Sequence, residues 1–208
     1  QQDLYFQQLA AYIGVAEGTL KASTERFANR TSGSSAGRRP KPAGREAEAT
    51  GISGDFLDTA LAGVRPIKRV VELDRRQPEF TLTFWKYLDN AINPARIRRG
   101  REMMAKHQKQ LQVTARRYGV QPRFIAAFWG LESNYGIHTG VFPVLGAVAT
   151  LAHDKRRSRF FRAQLLAALT IMNRGDVNIR VKGSWAGAMG NFQFIPTTYK
   201  GFAVDADG

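Results

Sequence analysis

The chain carries the stretch PRFIAAFWGLESNYG at residues 122–136. Proline is favoured at the first helical position, so Pro122 predicts a helix start, and Gly136 is a natural C-terminal cap. Apolar residues occur nearly all round this predicted helix, a pattern typical of a helix buried in a core. One carboxylate, Glu132, lies within the apolar stretch, so the same segment predicts a core element and a candidate for chemistry.

Helical patterns continue on both sides of this stretch. Ser53 is a candidate N-cap of a helix that Pro66 ends, and Asn93 followed by Pro94 starts a longer helix that Gly119 stops. The apolar residues of that longer helix recur at every seventh position and predict one buried stripe, formed by Ile97, Met104, Leu111 and Tyr118.

A further helix is predicted from about Ser158 to Met172. Its predicted inner face consists of Phe160, Phe161, Gln164, Leu165, Ala168, Leu169 and Met172. No internal repeat and no convincing run of alternating strand residues occurs, so the fold is predicted to be mainly α. After this helix, residues 182–196 read KGSWAGAMGNFQFIP, in which small residues allow close backbone approach beside large aromatic residues. This composition predicts one wall of a cleft.

Composition bounds the class of protein. The chain has 208 residues, 31 Lys and Arg against 17 Asp and Glu, a net charge of +14, and no cysteine. A disulfide scaffold, a thiol nucleophile and a thiolate zinc site are therefore excluded. The positive charge predicts an anionic partner, and nucleic acid, an anionic wall polymer and an acidic membrane surface would all satisfy it.

The chain divides into three predicted segments. Residues 1–50 form an N-terminal segment that includes a linker rich in Ser, Gly, Pro and charge, residues 51–118 form a helical part, and residues 119–208 form the segment that carries Glu132 and the glycine-rich stretch. No apolar run reaches the length of a membrane span.

Most catalytic templates are absent from the sequence. It contains no phosphate-binding glycine loop, no histidine pair at metal-ligand spacing and no nucleophile elbow. The three histidines, His107, His138 and His153, are scattered, and each is interpreted as an ordinary surface or loop residue.

Glu132 is the remaining candidate. On a helix it shares one stripe with Ile125, Phe128 and Trp129. Apolar surroundings disfavour the charged form of a carboxyl group and suit a general acid. The alternative is a surface glutamate just past the buried turn, or one paired with a nearby arginine, and periodicity does not decide between them.

Several motifs in consistent order resemble the lytic murein transglycosylases of the B type, from about Arg45 to Gly208. They are GLESNYG at 130–136, ATLA at 149–152, RR at 156–157, FF at 160–161, GSWAGAMG at 183–190 and QFIP at 193–196, with GIS at 51–53, RQPEF at 76–80 and YGV at 118–120 upstream. The resemblance implies a mainly α, lysozyme-like (α+β) fold, with the C-terminal part of the domain missing from this chain.

The resemblance also implies an activity. It implies cleavage of the β-1,4 bond between N-acetylmuramic acid and N-acetylglucosamine in peptidoglycan, with a single glutamate, Glu132, acting first as acid and then as base to leave a 1,6-anhydromuramoyl end. Two alternatives stay open: a catalytically idle basic module that binds peptidoglycan or nucleic acid, and a muramidase that uses water.

By matching position, the resemblance assigns further site residues. Ser184 and Gln193 match polar residues near the scissile bond, and the alternative is that both satisfy only backbone groups of their loop. Tyr87 matches a cleft tyrosine more loosely, and a core aromatic is the alternative.

Arg156 and Arg157 match a substrate-facing arginine pair that could hold lactyl or stem-peptide carboxylates in fork geometry. Tyr135 and Trp185 are candidates for sugar stacking or for packing, and packing is the interpretation favoured for Trp185.

The resemblance implies no cofactor for the chemistry. Asp205 and Asp207 look like the first ligands of an incomplete calcium loop, which a cation preferring six or more oxygens would not find sufficient. The expected partner is the peptidoglycan glycan strand and not nucleic acid, and the expected location is the periplasm or the outer membrane, with no anchor or secretion signal visible.

Overall fold

The structure, a computed structural model, describes residues 52–76 and 83–204. Within these residues it contains nine helices and two short strands: α1 Gly54–Leu61, α2 Lys68–Arg76, α3 Phe84–Ala91, α4 Pro94–Lys106, α5 Gln108–Tyr118, α6 Pro122–Ser133, β1 Phe142–Pro143, α7 Val144–His153, α8 Ser158–Asn173, β2 Lys182–Gly183 and α9 Pro196–Phe202. In these ranges, no helix has both the length and the apolar character needed to cross a bilayer. The predictions for residues 1–50 and for Asp205 and Asp207, and most of the motif at 76–80, lie outside the described residues.

The main core surrounds α7. Nine of the ten residues of this helix are buried, because small and β-branched apolar residues occupy every side of it. Helix α8 packs along α7, and α1, α2 and α9 complete the cluster. The single polar side chain in the buried part of α7 is satisfied, since the hydroxyl of Thr150 donates to the Gly146 carbonyl at 2.6 Å and accepts from the Ile67 N–H at 3.1 Å.

The predicted helix boundaries are confirmed at three places. The Ser53 side chain accepts the Phe56 N–H at 3.3 Å and caps α1. The Asn93 side chain accepts the Arg96 N–H at 2.9 Å and caps α4. Gly119 ends α5 in the left-handed conformation with φ 68°, where a residue without Cβ is least strained.

The single long helix predicted from Asn93 to Tyr118 is wrong. The chain breaks at His107, which ends α4 and begins α5. The break changes the direction in which later side chains point, so the seven-residue stripe does not continue: Leu111 is buried, but Ile97 and Tyr118 are 44% and 51% exposed.

The prediction that α6 is a core helix is also wrong. It packs against α4 and α5 and buries only Ala126, Gly130 and Ser133. The small residues face the neighbouring helices, whereas Phe124, Phe128 and Leu131 face outward. The helix ends at Ser133 and is capped by Asn134 in the left-handed conformation, before the predicted cap Gly136.

The glycine-rich stretch forms a small β region. β1 and β2 pair antiparallel with Phe142 opposite Gly183, and isolated bridges extend the pairing to Met189 and Phe194. The predicted close backbone approach is present, because a Cβ at Gly140 would overlap the backbone carbonyl of Gly183. The packing interpretation of Trp185 is confirmed, since its side chain lies against the main core.

The predicted inner face of α8 is confirmed except for Phe160, which provides a matched control for a test of the core. Phe161 is 1% exposed whereas its neighbour Phe160 is 47% exposed. Replacing Phe161 by Ala should lower the free energy of unfolding by about 3–5 kcal/mol, since it removes a buried ring and leaves a cavity. Urea unfolding is the measurement. Phe160→Ala is the control, with an expected loss of about 1 kcal/mol from the edge-to-face ring pair; equal losses in the two variants would contradict the described core.

Candidate active site

The C-terminal end of α6 is tied to the turn formed by residues 190–193. The hydroxyl of Ser133, which is 1% exposed, donates to the Asn191 carbonyl at 2.7 Å. The same oxygen accepts the Gly136 N–H at 2.9 Å. One buried side chain therefore joins the helix end, the chain that follows it and a turn 58 residues away in sequence.

A second set of hydrogen bonds holds the loop of residues 134–140 against the same turn. The side-chain amide of Gln193 donates to the Thr139 carbonyl at 3.1 Å and to the Gly190 carbonyl at 2.9 Å. Within the loop, the His138 N–H donates to the Ser133 carbonyl at 2.8 Å. The loop is therefore fixed at both of its ends.

Backbone strain is concentrated at this junction. Asn134, Tyr135 and Gln193 have φ values of 50°, 59° and 49°, the left-handed region that residues with a Cβ adopt at a cost of about 1–3 kcal/mol each. Such conformations persist where surrounding contacts over-determine them, and they concentrate at functional sites. The Ser133 and Gln193 hydrogen bonds supply those contacts.

Glu132 lies directly before Ser133 and is exposed. Its carboxylate makes no hydrogen bond or ion pair with any residue that the structure describes, so the arginine-paired alternative is not observed. The prediction that apolar groups bury it is wrong, because α6 turns its small side chains inward. Phe128, one helical turn before Glu132, and Leu131 are instead 59% and 48% exposed. The carboxylate therefore projects from an open apolar face.

Ser184 and Gln193 both bind backbone groups of their own region, as the structural alternative predicted. The Ser184 oxygen accepts the N–H groups of Ala186 and Ala188 at 3.2 and 3.0 Å. Each side chain keeps one free group with respect to the described residues, the hydroxyl proton of Ser184 and the side-chain carbonyl oxygen of Gln193. Both can serve a ligand without breaking the loop.

The structure favours packing over sugar stacking for Tyr135, and its role in binding stays a prediction. Its ring is 9% exposed and lies edge-to-face with Trp129 at 5.6 Å between ring centroids. Its hydroxyl fills the space left by Gly130, where an added Cβ would lie 2.5 Å from it. No face of the ring is open to a substrate. Tyr87, in contrast, is 51% exposed on α3, so the core-aromatic alternative does not hold for it.

The arginine pair is part of a buried ion cluster that sequence reasoning missed. Arg156 and Arg157 both donate to the carboxylate of Asp74, which is 2% exposed on α2. Both guanidinium groups remain partly exposed at a surface cavity of about 600 Å³, lined by Lys155, Arg156, Arg157, Ser158, Arg159 and Phe160. The pair therefore has a structural partner on one side and an open cavity on the other.

Two signals in the sequence could have revealed Asp74 and Ser133, which sequence reasoning missed. Asp74 follows Val70 by one helical turn, so an acid shares the apolar face of a helix that is otherwise highly charged. Ser133 is a small polar residue at a helix end, the position from which a hydroxyl can bind backbone groups nearby. The partner of either residue could not be read from the sequence, because each lies more than 50 positions away.

With this geometry established, comparison with known proteins identifies the family. The family model of the transglycosylase SLT domain matches residues 38–208, so the chain belongs to that family. The membrane-bound lytic murein transglycosylase B of Escherichia coli (strain K12) is 34% identical over 125 residues, which are 59% of this chain and 35% of that protein. The predicted relationship to B-type enzymes is confirmed.

Solved structures agree with the described fold. SltB3 from Pseudomonas aeruginosa, in complex with NAG-NAM-pentapeptide, matches 79% of this chain and 44% of that chain with 50% identity and a TM-score of 0.75; the same protein was also solved with NAG-anhNAM-pentapeptide. The Escherichia coli lytic transglycosylase Slt35 in complex with calcium matches 79% of this chain and 54% of that chain, with 29% identity and a TM-score of 0.70. These matches confirm the mainly α, lysozyme-like fold. The chain spans about half the length of these structural relatives, and about a third of the curated one.

The structural role of the Ser133 hydroxyl can be tested without any substrate. Ser133→Ala removes the acceptor of the Gly136 N–H, so amide hydrogen exchange at Gly136 should accelerate at least about tenfold and the free energy of unfolding should fall by about 1–3 kcal/mol. Thr59→Ala is the control, because it removes an exposed hydroxyl that donates to the Asp55 carbonyl. Unchanged exchange at Gly136 in the Ser133 variant would contradict the described tie.

Proposed function

We propose that this chain provides the catalytic acid and part of the cleft of a lytic transglycosylase, which cleaves the β-1,4 bond between N-acetylmuramic acid and N-acetylglucosamine in peptidoglycan. The observation that carries the proposal is the position of Glu132. Its carboxylate is paired with none of the residues that the structure describes, it lies on an open apolar face, and the next residue ties its helix to the turn bearing Gln193. Membership of the transglycosylase SLT domain family supports the same reaction class.

The open apolar face explains how an exposed carboxylate could act as a general acid. Phe128 and Leu131 flank Glu132 on the outward side of α6. A sugar ring laid over these side chains would displace water from the carboxyl group, and the charged form of a carboxyl is disfavoured when water is removed. The environment that favours proton donation would therefore be completed by the substrate.

Single-acid catalysis is supported by the pairing of the acidic residues that follow Glu132 in the described part of the chain. Asp154 and Asp176 are the two described acidic residues that follow Glu132 in the chain. Asp154 forms an ion pair with Arg75 at 3.0 Å, and Asp176 forms one with Arg174 at 2.5 Å. Glycosidases with two catalytic carboxylates need a second acid or base within about 5–10 Å across the bond, and neither aspartate is free for that role.

The proposed reaction uses the substrate's own hydroxyl instead. Protonated Glu132 gives its proton to the glycosidic oxygen while the bond from that oxygen to muramoyl C1 breaks, leaving an oxocarbenium-like centre and a free C4 hydroxyl on N-acetylglucosamine. The Glu132 carboxylate then takes the proton of the C6 hydroxyl as that oxygen bonds to C1. The product is a 1,6-anhydromuramoyl end, Glu132 returns to its protonated form, and no water is consumed.

Five further residues have proposed roles in binding. The Ser184 hydroxyl and the Gln193 carbonyl oxygen would bind sugar groups near the scissile bond, and Tyr87 would contact the strand further along. Arg156 and Arg157 would bind lactyl or stem-peptide carboxylates at the cavity they line. A relative solved with NAG-NAM-pentapeptide supports a substrate of this chemistry.

No cofactor takes part in the proposed chemistry. A calcium site beginning at Asp205 and Asp207 stays a prediction, supported by the relative solved with calcium; among residues 52–76 and 83–204, no group of three or more His, Asp or Glu could hold a metal ion. The proposed partner is the glycan strand, and the proposed location is the periplasm or the outer membrane, where that strand is accessible.

Glu132→Gln tests the assignment of the acid. The amide cannot donate the proton, so the rate of soluble fragment release from peptidoglycan should fall at least about 100-fold, with binding to sacculi retained. The control is Glu102→Gln, which changes another exposed glutamate with the same chemistry, on α4, and should leave release unchanged. Release by Glu132→Gln at the unaltered rate would disprove the assignment, and an unaltered chain that binds without release would support the idle binding module.

The chemical identity of the products tests the absence of water from the reaction. Mass spectrometry of the released muropeptides should show ends that are one water lighter than reducing ends. Digestion in heavy-oxygen water should leave these ends unlabelled, because the C6 oxygen and not solvent closes on C1. Labelled reducing ends would instead identify the chain as a hydrolytic muramidase.

A further inference from the structure

We propose that Asp74 is a positioning residue, which fixes Arg156 and Arg157 so that their remaining donors recognise the peptide carboxylates of the substrate. The inference rests on the proposed function. Asp74 is 2% exposed, so it would act through the two arginines and not by touching substrate.

The carboxylate of Asp74 holds both arginines at once. Arg157 donates through Nη2 to Oδ1 of Asp74. Arg156 donates through Nη1 to Oδ2 at 3.2 Å and also to the backbone carbonyl of the same residue. Each carboxylate oxygen thus serves one guanidinium group, which fixes two long side chains relative to each other and relative to α2.

The two guanidinium groups keep donors for a ligand. Their side chains are 43% and 36% exposed for Arg156 and Arg157, respectively, and each group uses only one of its terminal nitrogens on Asp74. The guanidinium carbon of Arg157 lies 5.1 Å from the centroid of the Phe161 ring, which restrains its plane. Planar, restrained groups of this kind suit the fork geometry of carboxylate recognition.

The cavity carries the excess positive charge that carboxylate recognition requires. Lys155, Arg156, Arg157 and Arg159 place four positive charges on its lining, and Asp74 supplies one negative charge, so the net is three positive charges. The adjacent Asp154 is already paired with Arg75. A ligand with carboxylates would be attracted, whereas a neutral sugar strand would gain little from this field.

Preorganisation is the physical reason why Asp74 matters for recognition. Two free arginines side by side repel each other, and each loses rotamer entropy when it is ordered. With Asp74 in place, that ordering is complete before a ligand arrives, so a bound carboxylate gains more of the interaction free energy.

Asp74→Asn is the direct test, because it keeps the size of the side chain and removes its charge. The measured quantity is the preference for carboxylates, defined as the rate of fragment release from peptide-bearing strands divided by the rate from the same strands after their carboxylates have been converted to amides. We expect this preference to fall about tenfold through a higher KM on the peptide-bearing strands. A merely structural role would lower both rates in proportion and leave the preference unchanged, and that result in a folded variant would overturn the inference.

Two further variants make the test decisive. Asp176→Asn is the matched control, since it removes an aspartate–arginine pair beyond the other end of α8 and should leave the preference unchanged. If Asp74→Asn does not fold, Arg157→Lys replaces it, because lysine keeps the charge and loses the planar fork. An unchanged preference in Arg157→Lys would overturn the inference, and a loss of about tenfold would support it.

The outcome can be separated from failure of the proposed function. If the unaltered chain releases nothing from either kind of strand, the proposed function fails, and the same comparison is made on binding. The unaltered chain should then be retained more strongly by peptide-bearing strands than by the amidated strands, and Asp74→Asn should lose that difference. Equal retention of the two proteins on both strands would overturn the role of Asp74.

Discussion

The hydrogen bond from Ser133 to the Asn191 carbonyl is the constraint on which the candidate site depends. It joins the last residue of α6, next to Glu132, to the turn that carries Gln193. The Gln193 bond to the Thr139 carbonyl is a second hydrogen bond that holds the chain after this helix end against the same turn. The left-handed conformations of Asn134 and Gln193 are the local cost of this arrangement, which indicates that the junction is held by its contacts and not by intrinsic backbone preference.

In the surrounding fold, the residues that form the buried core are separate from those of the candidate site. The buried helix α7 and its neighbour α8 form a dense apolar core, while α4, α5 and α6 pack through small residues such as Gly100 and Gly130 and leave large apolar side chains outside. Glu132 lies on that outer face, whereas Ser184 and Gln193 belong to the β region that rests on the core. A site assembled from a rigid loop region and an open helix face suits the binding of an extended polymer, because the polymer itself can cover the apolar face.

Much of the fold could be predicted from the sequence, because caps and prolines act locally. Ser53 and Asn93 mark helix starts through side-chain bonds to N–H groups three residues later, and Pro122 marks one through its fixed φ. The wrong predictions share a cause, because the face of a helix that is buried depends on partners distant in sequence. Periodicity could not show that α6 turns Gly130 inward against Tyr135, or that a break at His107 ends the seven-residue stripe. In the site, motif order identified Glu132 and the arginine pair, whereas Asp74 and the Ser133 tie required three-dimensional neighbours.

The central claim is that the α6 end and the 190–193 turn work as one unit that places Glu132. A double-mutant cycle on the rate of fragment release from peptidoglycan tests it most directly, with Ser133→Ala, Gln193→Ala and the double variant. Because both changes disturb the same junction, the double variant should be no slower than about the worse single variant. If the two rate losses multiply, the residues act independently, and the account of the junction is contradicted.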